Sequence, residues 1–257
     1  MLFFRMKKIL VFTLIFLFPA IAAALELNTV KPLAPYGVFS AWSAQSLEKG
    51  AVSFGLSIER SKEPDFFRYT AGASYGIEEK IEFTMNFPYF NGGDGGPDGV
   101  EDLGIAAKYR FMEQGRYGPS AALLVMGYIP TGDDELTRDG AVGAGLLVSK
   151  KIGPFMAHLN GLWTTPEKDE LNNEWDLIGG LSFPLYHNME VLAEFHVRDS
   201  HFSDSIDLSE GRIGYRLFND TFFGTLGLGA DLKNREPEYR VIFSLATVFS
   251  KKRGPAF

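Results

Sequence analysis

GVEDLGIAAKYRFMEQGRYGPSAALLVMGYIPTGDD, residues 99–134, is the stretch that decides the fold. From 103 to 111 apolar residues alternate with small or charged ones, so an extended chain here has one apolar and one polar face. A short turn rich in glycine and polar residues follows at 113–118, and a second strand-length run covers 120–129. The acidic sequence IPTGDD ends that run. Alternating strands of about ten residues, with a short turn at one end and an acidic loop at the other, are typical of a transmembrane β-barrel.

The rest of the chain repeats this unit. Comparable runs cover residues 51–59, 67–75, 81–89, 140–151, 155–165, 174–184, 189–198, 207–217, 221–232 and 239–249. The breaks between them alternate between short turns, as at 76–80 and 152–154, and longer connections rich in Asp, Glu, Asn and Ser, as at 91–102 and 131–139. The sequence therefore predicts an all-β fold, a transmembrane antiparallel up-and-down barrel of about 12 strands with both termini on the periplasmic side.

The segments outside the strands have their own character. Residues 1–24 have a positive start, an apolar core shorter than the roughly 20 residues of a spanning helix, and a small-residue cleavage site, which predicts a secretory signal peptide. Residues 25–50 have no clear period, which predicts a periplasmic lead-in, part of which could enter the barrel mouth. The barrel then covers 51–249, with Phe249 as its last residue, and 250–257 form a C-terminal tail.

The composition and the predicted signal peptide limit which sites the protein can contain and where it is expected to be located. The chain contains no cysteine, so disulfides and thiolate metal sites are excluded. Its formal net charge of -7 argues against a nucleic-acid-binding surface. An exported chain made of alternating strands is expected in the outer membrane of a Gram-negative cell, in contact with its lipid. An aromatic last strand residue is also what the barrel-assembly machinery uses.

Three motifs follow one another along the chain: RYTAGASYGIEEKIEFTMNFPYF at 68–90, GVEDLGIAAKYRF at 99–111 and IPTGDD at 129–134. In this order they resemble the outer-membrane transporters of the MetA-pathway of phenol degradation family. The resemblance covers about residues 47–200. It implies outer-membrane passage of a small solute, including aromatic ones, and no catalytic residues.

Charged residues share one parity along the strands. Because a charge facing lipid at mid-depth is costly, we expect the aromatic-bearing face to contact lipid and the charged face to line the lumen. The residues expected to line the lumen and shape its selectivity are Arg68, Glu82, Lys108, Arg110, Glu194, His196, Arg198, Arg212, Arg216 and Arg240. Glu59, His158, Asp176 and Glu210 have the same parity. A slight basic excess favours anionic solutes. Alternatively, these groups pair with one another and close the interior.

Two further motifs contain residue types that are used in catalysis or ion binding. His201 and Ser203 echo the His and Ser of outer-membrane lipid hydrolases, but they fall in a polar loop rather than on a strand, so no catalytic residue is assigned. The glycine-rich loop at 91–99 does not lead into a helix, so it does not match a phosphate-binding loop. Together with acidic residues near Asp133 it could bind divalent cations, but a solvated loop is the simpler expectation. We therefore predict no metal site and no cofactor.

The sequence as a whole predicts a non-enzymatic outer-membrane channel for small solutes, among them aromatic or anionic ones. The alternative is a non-conducting structural or surface-binding barrel that acts through its acidic extracellular loops. Whether the lumen is open distinguishes the two.

Overall fold

The computed structural model describes residues 29–62, 65–93, 95–169, 171–199, 206–233 and 239–250. The predicted signal peptide and nearly all of the predicted tail lie outside these residues. Among the described residues, no helix is long and apolar enough to cross a membrane.

The chain forms a 13-stranded sheet that consists of one short strand and the strands of a barrel. The strands are β1 Val52–Lys62, β2 Phe66–Glu78, β3 Ile81–Gly92, β4 Asp98–Val100, β5 Leu103–Met112, β6 Ser120–Ile129, β7 Ala141–Ile152, β8 Phe155–Pro166, β9 Glu174–Tyr186, β10 Met189–Asp199, β11 Ile206–Phe218, β12 Phe222–Asp231 and β13 Tyr239–Phe249. The short strand, β4, pairs only with the end of β3 and was not predicted from the sequence.

The sheet closes on itself. Each barrel strand pairs antiparallel with its neighbours, and β1 pairs with β13 from Val52 opposite Phe249 to Lys62 opposite Tyr239. The closed 12-strand antiparallel barrel predicted from the sequence is thereby confirmed, and its last strand ends at Phe249. One end of the barrel carries the short turns and the other the long connections. We call them the short-turn end and the long-loop end.

The period-two pattern sorts side chains between the two faces of the wall. Tyr109 on β5 is 50% exposed on the outside, whereas its neighbour Lys108 is 1% exposed inside. On β2, Arg68 is likewise 1% exposed inside, next to the outward Tyr69. Aromatic residues cluster on the outside near both ends, with Phe155 and Phe183 stacked at 4.9 Å between ring centroids at the short-turn end. This is the lipid-facing arrangement of a membrane barrel.

Much of the interior is filled by the chain's own residues 29–50, which we call the inserted segment. Val30, Val38 and Trp42 of this segment belong to one buried cluster with inward side chains of the barrel, among them Leu124 and Leu147. The segment adds no strand to the wall; its only isolated bridge joins Gly37 to Trp42 within the segment itself. The described part of the predicted lead-in therefore lies inside the barrel.

Inward-facing glycines make room for the inserted segment. A Cβ atom at Gly227 on β12 would lie 2.3 Å from a ring carbon of Phe39, and one at Gly104 on β5 would lie 2.6 Å from a methyl of Val30. Neither position tolerates a larger residue unless the segment moves. These glycines are thus matched to a segment far away in the sequence.

Gly227→Ala should therefore lower the free energy of unfolding by about 1–3 kcal/mol, because the added methyl overpacks the Phe39 ring. Gly224→Ala is the matched control on the same strand, since a Cβ there points outward and meets nothing closer than 3.6 Å. Urea unfolding followed by heat-modifiable gel mobility measures both. Equal effects of the two substitutions would contradict the packing, and adding Phe39→Ala should relieve the Gly227→Ala defect.

Candidate functional site: the barrel lumen

The lumen has two unlike walls. On β6, β7 and β8 the buried inward side chains include the apolar residues Ala122, Leu124, Met126, Leu147 and Leu162, with the polar residues Ser149, His158, Asn160 and Thr164 beside them. Most of the remaining strands point charged side chains inward. The inserted segment lies between these walls and contacts both.

On the charged wall, arginines and carboxylates form a continuous chain of ion pairs. Arg240 bonds Glu59 at 2.7 Å and lies 3.6 Å from Glu210. Glu210 in turn bonds Arg212 at 2.7 Å, and Arg212 bonds Glu194 at 2.9 Å. These groups are almost completely buried, so each charge depends on its partner for stability.

A second charged group lies on β9 and β10. Asp176 accepts hydrogen bonds from His196 at 2.6 Å and from Arg198 at 2.7 Å. Arg198 also lies 3.5 Å from Glu174 and donates to the Thr29 hydroxyl of the inserted segment at 3.3 Å. This group therefore contacts the inserted segment where its described part begins.

Charged side chains also bind the inserted segment directly. Lys31 of the segment pairs with Glu59 at 2.5 Å, and burial lowers the pKa of its ammonium group while the nearby carboxylate opposes that shift. Arg216 donates to Glu190 at 2.9 Å, to the Gly37 carbonyl at 2.9 Å and to the Val38 carbonyl at 3.2 Å. The Arg216 guanidinium thus clamps a turn of the segment against β11.

Trp42 is bound from two sides. Its backbone N–H donates to the Asn160 side-chain oxygen at 2.6 Å, and its carbonyl accepts from the Asn160 amide at 3.0 Å. On the other side Lys108 lies 5.5 Å from the centre of the indole ring, donates to the Ser43 carbonyl at 3.2 Å and pairs with Glu82 at 3.1 Å. An uncharged amide and a cation therefore fix the same residue.

The long-loop end is covered by its own connections. Arg68 bonds Glu101 with two hydrogen bonds, at 2.8 and 3.0 Å, and lies 5.2 Å from the ring centres of Phe66 and Phe90. Leu136, from the connection between β6 and β7, is buried against the same two rings. This connection therefore folds into the mouth of the barrel.

The acidic residues of these connections have structural partners. The Asp102 carboxylate accepts from the Thr137 hydroxyl at 2.7 Å and from the Arg138 N–H at 2.8 Å. Asp133 accepts from the Val100 N–H at 3.0 Å. Within the described part of the chain, no group of three or more metal-ligating side chains comes together.

The short-turn end retains an open space. A cavity of about 320 Å³ lies between the inserted segment and the inward residues of β8 to β12, with Tyr36, Met156, Phe218 and Phe223 among its apolar lining and His158, Glu190 and Arg216 among its polar lining. It has both aromatic and charged surfaces. A small solute that enters the cavity from this end would contact the inserted segment at the bottom of the cavity.

The sequence-predicted lumen residues all point inward. Arg68, Glu82, Lys108, Glu194, His196, Arg198, Arg212, Arg216 and Arg240 are buried, and Arg110 lies at the short-turn rim. There Arg110 donates to the Glu79 carbonyl at 2.9 Å, with Glu113 at 4.0 Å. What the sequence did not indicate is how completely these cations are paired, because Glu101, Glu174 and Glu190 were not among the candidates.

The candidate hydrolase residues His201 and Ser203 lie outside the described residues. Within them, Ser149 and His158 form a buried pair at 2.8 Å that was not foreseen. The Ser149 oxygen also accepts the Ala44 N–H of the inserted segment at 2.9 Å, so this pair serves to bind the segment.

Removal of one buried cation should expose how much the fold depends on the pairing. Arg212→Met leaves Glu194 and Glu210 buried without their shared partner, so the free energy of unfolding should fall by about 3–5 kcal/mol. The control is Lys49→Met, which breaks an exposed pair with Glu78 and should leave unfolding unchanged. Urea titration of both variants is the measurement. If Arg212→Met unfolds like the parent protein, the ion-pair chain is not structural.

Comparison with known proteins gives the fold. No family model and no curated protein matches the chain. Among solved structures, the COG4313 outer membrane channel from Pseudomonas putida F1 is 15% identical with a TM-score of 0.60, over 80% of this chain and 98% of that one. The KdgM porin, in complex with disordered oligogalacturonate, is 9% identical with a TM-score of 0.59, over 77% of this chain and 99% of that one. The NanC porin is 6% identical with a TM-score of 0.60, over 76% and 98%.

At these identities the likeness concerns the backbone alone, and the finer resemblance to the phenol-degradation family stays a prediction. The chain has the fold of outer-membrane β-barrel channels.

Proposed function

We propose that the protein is an outer-membrane channel for small solutes, among them anionic or aromatic ones, in which the inserted segment is a movable constriction. The observation that carries this proposal is how the segment is bound. Its anchors are side chains of the wall, such as Glu194, Asn160 and Arg216, rather than a strand ladder. A backbone bond to the wall, from the Gly50 N–H to the Gly76 carbonyl, lies at the end of the segment, next to β1. The segment can therefore shift without breaking any backbone pairing that closes the barrel.

The lining of the lumen supports the solute class. The cavity at the short-turn end combines aromatic rings with the Arg216 guanidinium, a combination that suits a small ring carrying a negative charge. One solved barrel of the same fold, the KdgM porin, was obtained with an acidic sugar polymer, oligogalacturonate. Residence in the outer membrane and assembly through the aromatic last strand belong to the same proposal.

A non-conducting barrel is the second candidate, and a specific observation favours it. The inserted segment crosses the lumen, and the predicted inward cations have carboxylate neighbours. Such a barrel would act through its exposed acidic residues at the long-loop end, where Asp134, Glu135 and Asp139 face solvent. The two candidates differ in whether movement of the segment opens a path.

Cross-linking the segment to the wall tests this difference. The Cβ of Val38 lies 3.5 Å from a Cβ built at Gly180 on β9, within the usual range for a disulfide of about 3.5–4.5 Å. That Cβ would also lie 2.9 Å from the Cβ of Ala41, so every variant and control carries Ala41→Gly to relieve the contact. Because the chain has no cysteine, Val38→Cys with Gly180→Cys introduces the only pair. Oxidised protein in a planar bilayer should show little conductance, and reduction should raise the conductance several-fold.

Each single cysteine variant is the control for added bulk and should not respond to reductant. Conductance that is the same before and after reduction would mean that passage does not require the segment to move. Silence in every state, with insertion confirmed, would favour the non-conducting barrel.

Ion selectivity gives an independent check at the rim. Arg110→Glu reverses a charge at the short-turn mouth and should shift the chloride-to-potassium permeability ratio toward potassium by roughly two-fold or more. Lys150→Glu is the control, because Lys150 lies on the outer face at the same end. An equal shift in both variants would show only a surface effect.

A further inference from the structure

Three successive backbone N–H groups of the inserted segment converge on one oxygen. The N–H groups of Phe39, Ser40 and Ala41 donate to Oε2 of Glu194 at 3.1, 2.8 and 2.8 Å. The other oxygen of this carboxylate, Oε1, accepts from Nη1 of Arg212 at 2.9 Å. We call the three N–H groups together with Arg212 the cradle.

This geometry is that of an anion site. Consecutive backbone N–H groups that point to one spot form a concavity of partial positive charge, and a guanidinium adds a full one. Arg212 is buried, and its Nε atom has no hydrogen-bond partner among the described residues. Its Nη1 atom donates to the Ser40 hydroxyl at 2.5 Å as well as to Glu194, and its Nη2 atom donates to Glu210 at 2.7 Å, so Arg212 keeps its Nε donor, which these three partners do not use.

The other anchors of the segment are chemically different. Asn160 matches a peptide group with one donor and one acceptor, and Arg216 donates to backbone carbonyls. Both arrangements bind the segment through its peptide groups, without a carboxylate between segment and wall. Two other wall carboxylates also bind the segment, Glu59 through the Lys31 ammonium group and Glu82 through the single Leu47 N–H at 2.7 Å. At the cradle, by contrast, three successive N–H groups converge on one carboxylate oxygen, and a carboxylate is the group that a small anionic solute would itself carry.

We propose that the cradle is a carboxylate-binding site that Glu194 occupies in the closed state in place of a solute. A solute carboxylate that takes the three N–H groups leaves Glu194 paired with Arg212, so the link between segment and β10 is broken. The gating part of this proposal rests on the proposed channel function; the binding part does not.

The exchange is a competition between a tethered and a free carboxylate. Glu194 is held beside the cradle, which corresponds to a high effective concentration, so a free carboxylate must be abundant to displace it. Removing Glu194 removes the competitor. Acetate, the smallest stable match to the lost group, should then bind at much lower concentration.

The test is chemical rescue of Glu194→Ala in the full chain. Trp42 follows Ala41 directly and reports on the cradle by fluorescence once Trp163 and Trp175, the other two tryptophans, are replaced by Phe. Acetate should give a saturable signal in Glu194→Ala, and the protein with Glu194 intact should need at least ten-fold more acetate. Acetamide, which has the same shape without the charge, should give no signal.

Conductance should respond to acetate with opposite sign in the two proteins. With Glu194 present, acetate breaks the link and raises conductance. In Glu194→Ala, conductance in potassium chloride starts several-fold higher, and acetate lowers it because it bridges the three N–H groups to Arg212. Asn160→Ala is the control, since it loosens the same segment without creating a carboxylate-sized space and should show no such reduction.

Equal signals from acetate and acetamide, or an acetate response in Asn160→Ala like that in Glu194→Ala, would overturn the cradle as a carboxylate site. Bilayers that stay silent for every variant, while fluorescence shows acetate binding, would overturn the channel function and the gating and leave the binding site in place. If Glu194→Ala does not fold, Glu194→Gln serves, because its amide cannot satisfy the cradle and should lower the acetate requirement in the same direction.

Discussion

The whole structure depends on the closure of the barrel. A membrane-spanning wall cannot leave backbone N–H and C=O groups without partners, so the last strand must pair with the first. Here β13 meets β1 along their full length. Closure then forces every second side chain inward, and the interior becomes a volume that must be filled or hydrated. The inserted segment and the inward residues that contact it together fill most of that enclosed space.

The inserted segment fills much of that space, and the wall is adapted to it in three ways. Inward glycines such as Gly104 and Gly227 make room for its side chains. Apolar residues of β6 to β8 cover its hydrophobic side, and charged residues on the other strands bind its backbone. Since these adaptations come from most strands of the barrel, the segment and the wall are packed against each other as one interior in this structure.

The wall was predictable from the sequence because its signal is local. Alternation such as that from Leu103 to Phe111 gives strand, parity and facing within about ten residues. The inward position of Arg68, Arg212 and the other candidates follows from the same parity. The lengths of the connections between strands are also local in the sequence, so they predicted which end of the barrel has short turns and which has long loops.

The interior arrangement was not predictable, because its contacts are distant in the chain. Glu194 and the N–H groups that it accepts from are 153 to 155 residues apart, and Arg216 lies 178 residues from Val38. No period marks residues 29–50, since the segment is neither strand nor helix. Glu190, by contrast, shares the parity of Glu194 and was open to prediction, whereas the loop residue Glu101 was not.

Pairing also changes what the interior charges can do. From the sequence, a slight excess of arginine and lysine favours anions through their net field. In the structure Arg68, Arg198 and Arg240 each have a buried carboxylate partner, which cancels most of that field beyond the pair. Selectivity in such a lumen must come from groups that can exchange partners at close range. An anion then competes for hydrogen-bond donors one site at a time. Glu194, a wall carboxylate that accepts from three backbone N–H groups at once, marks a site where a solute carboxylate would have the most donors to gain.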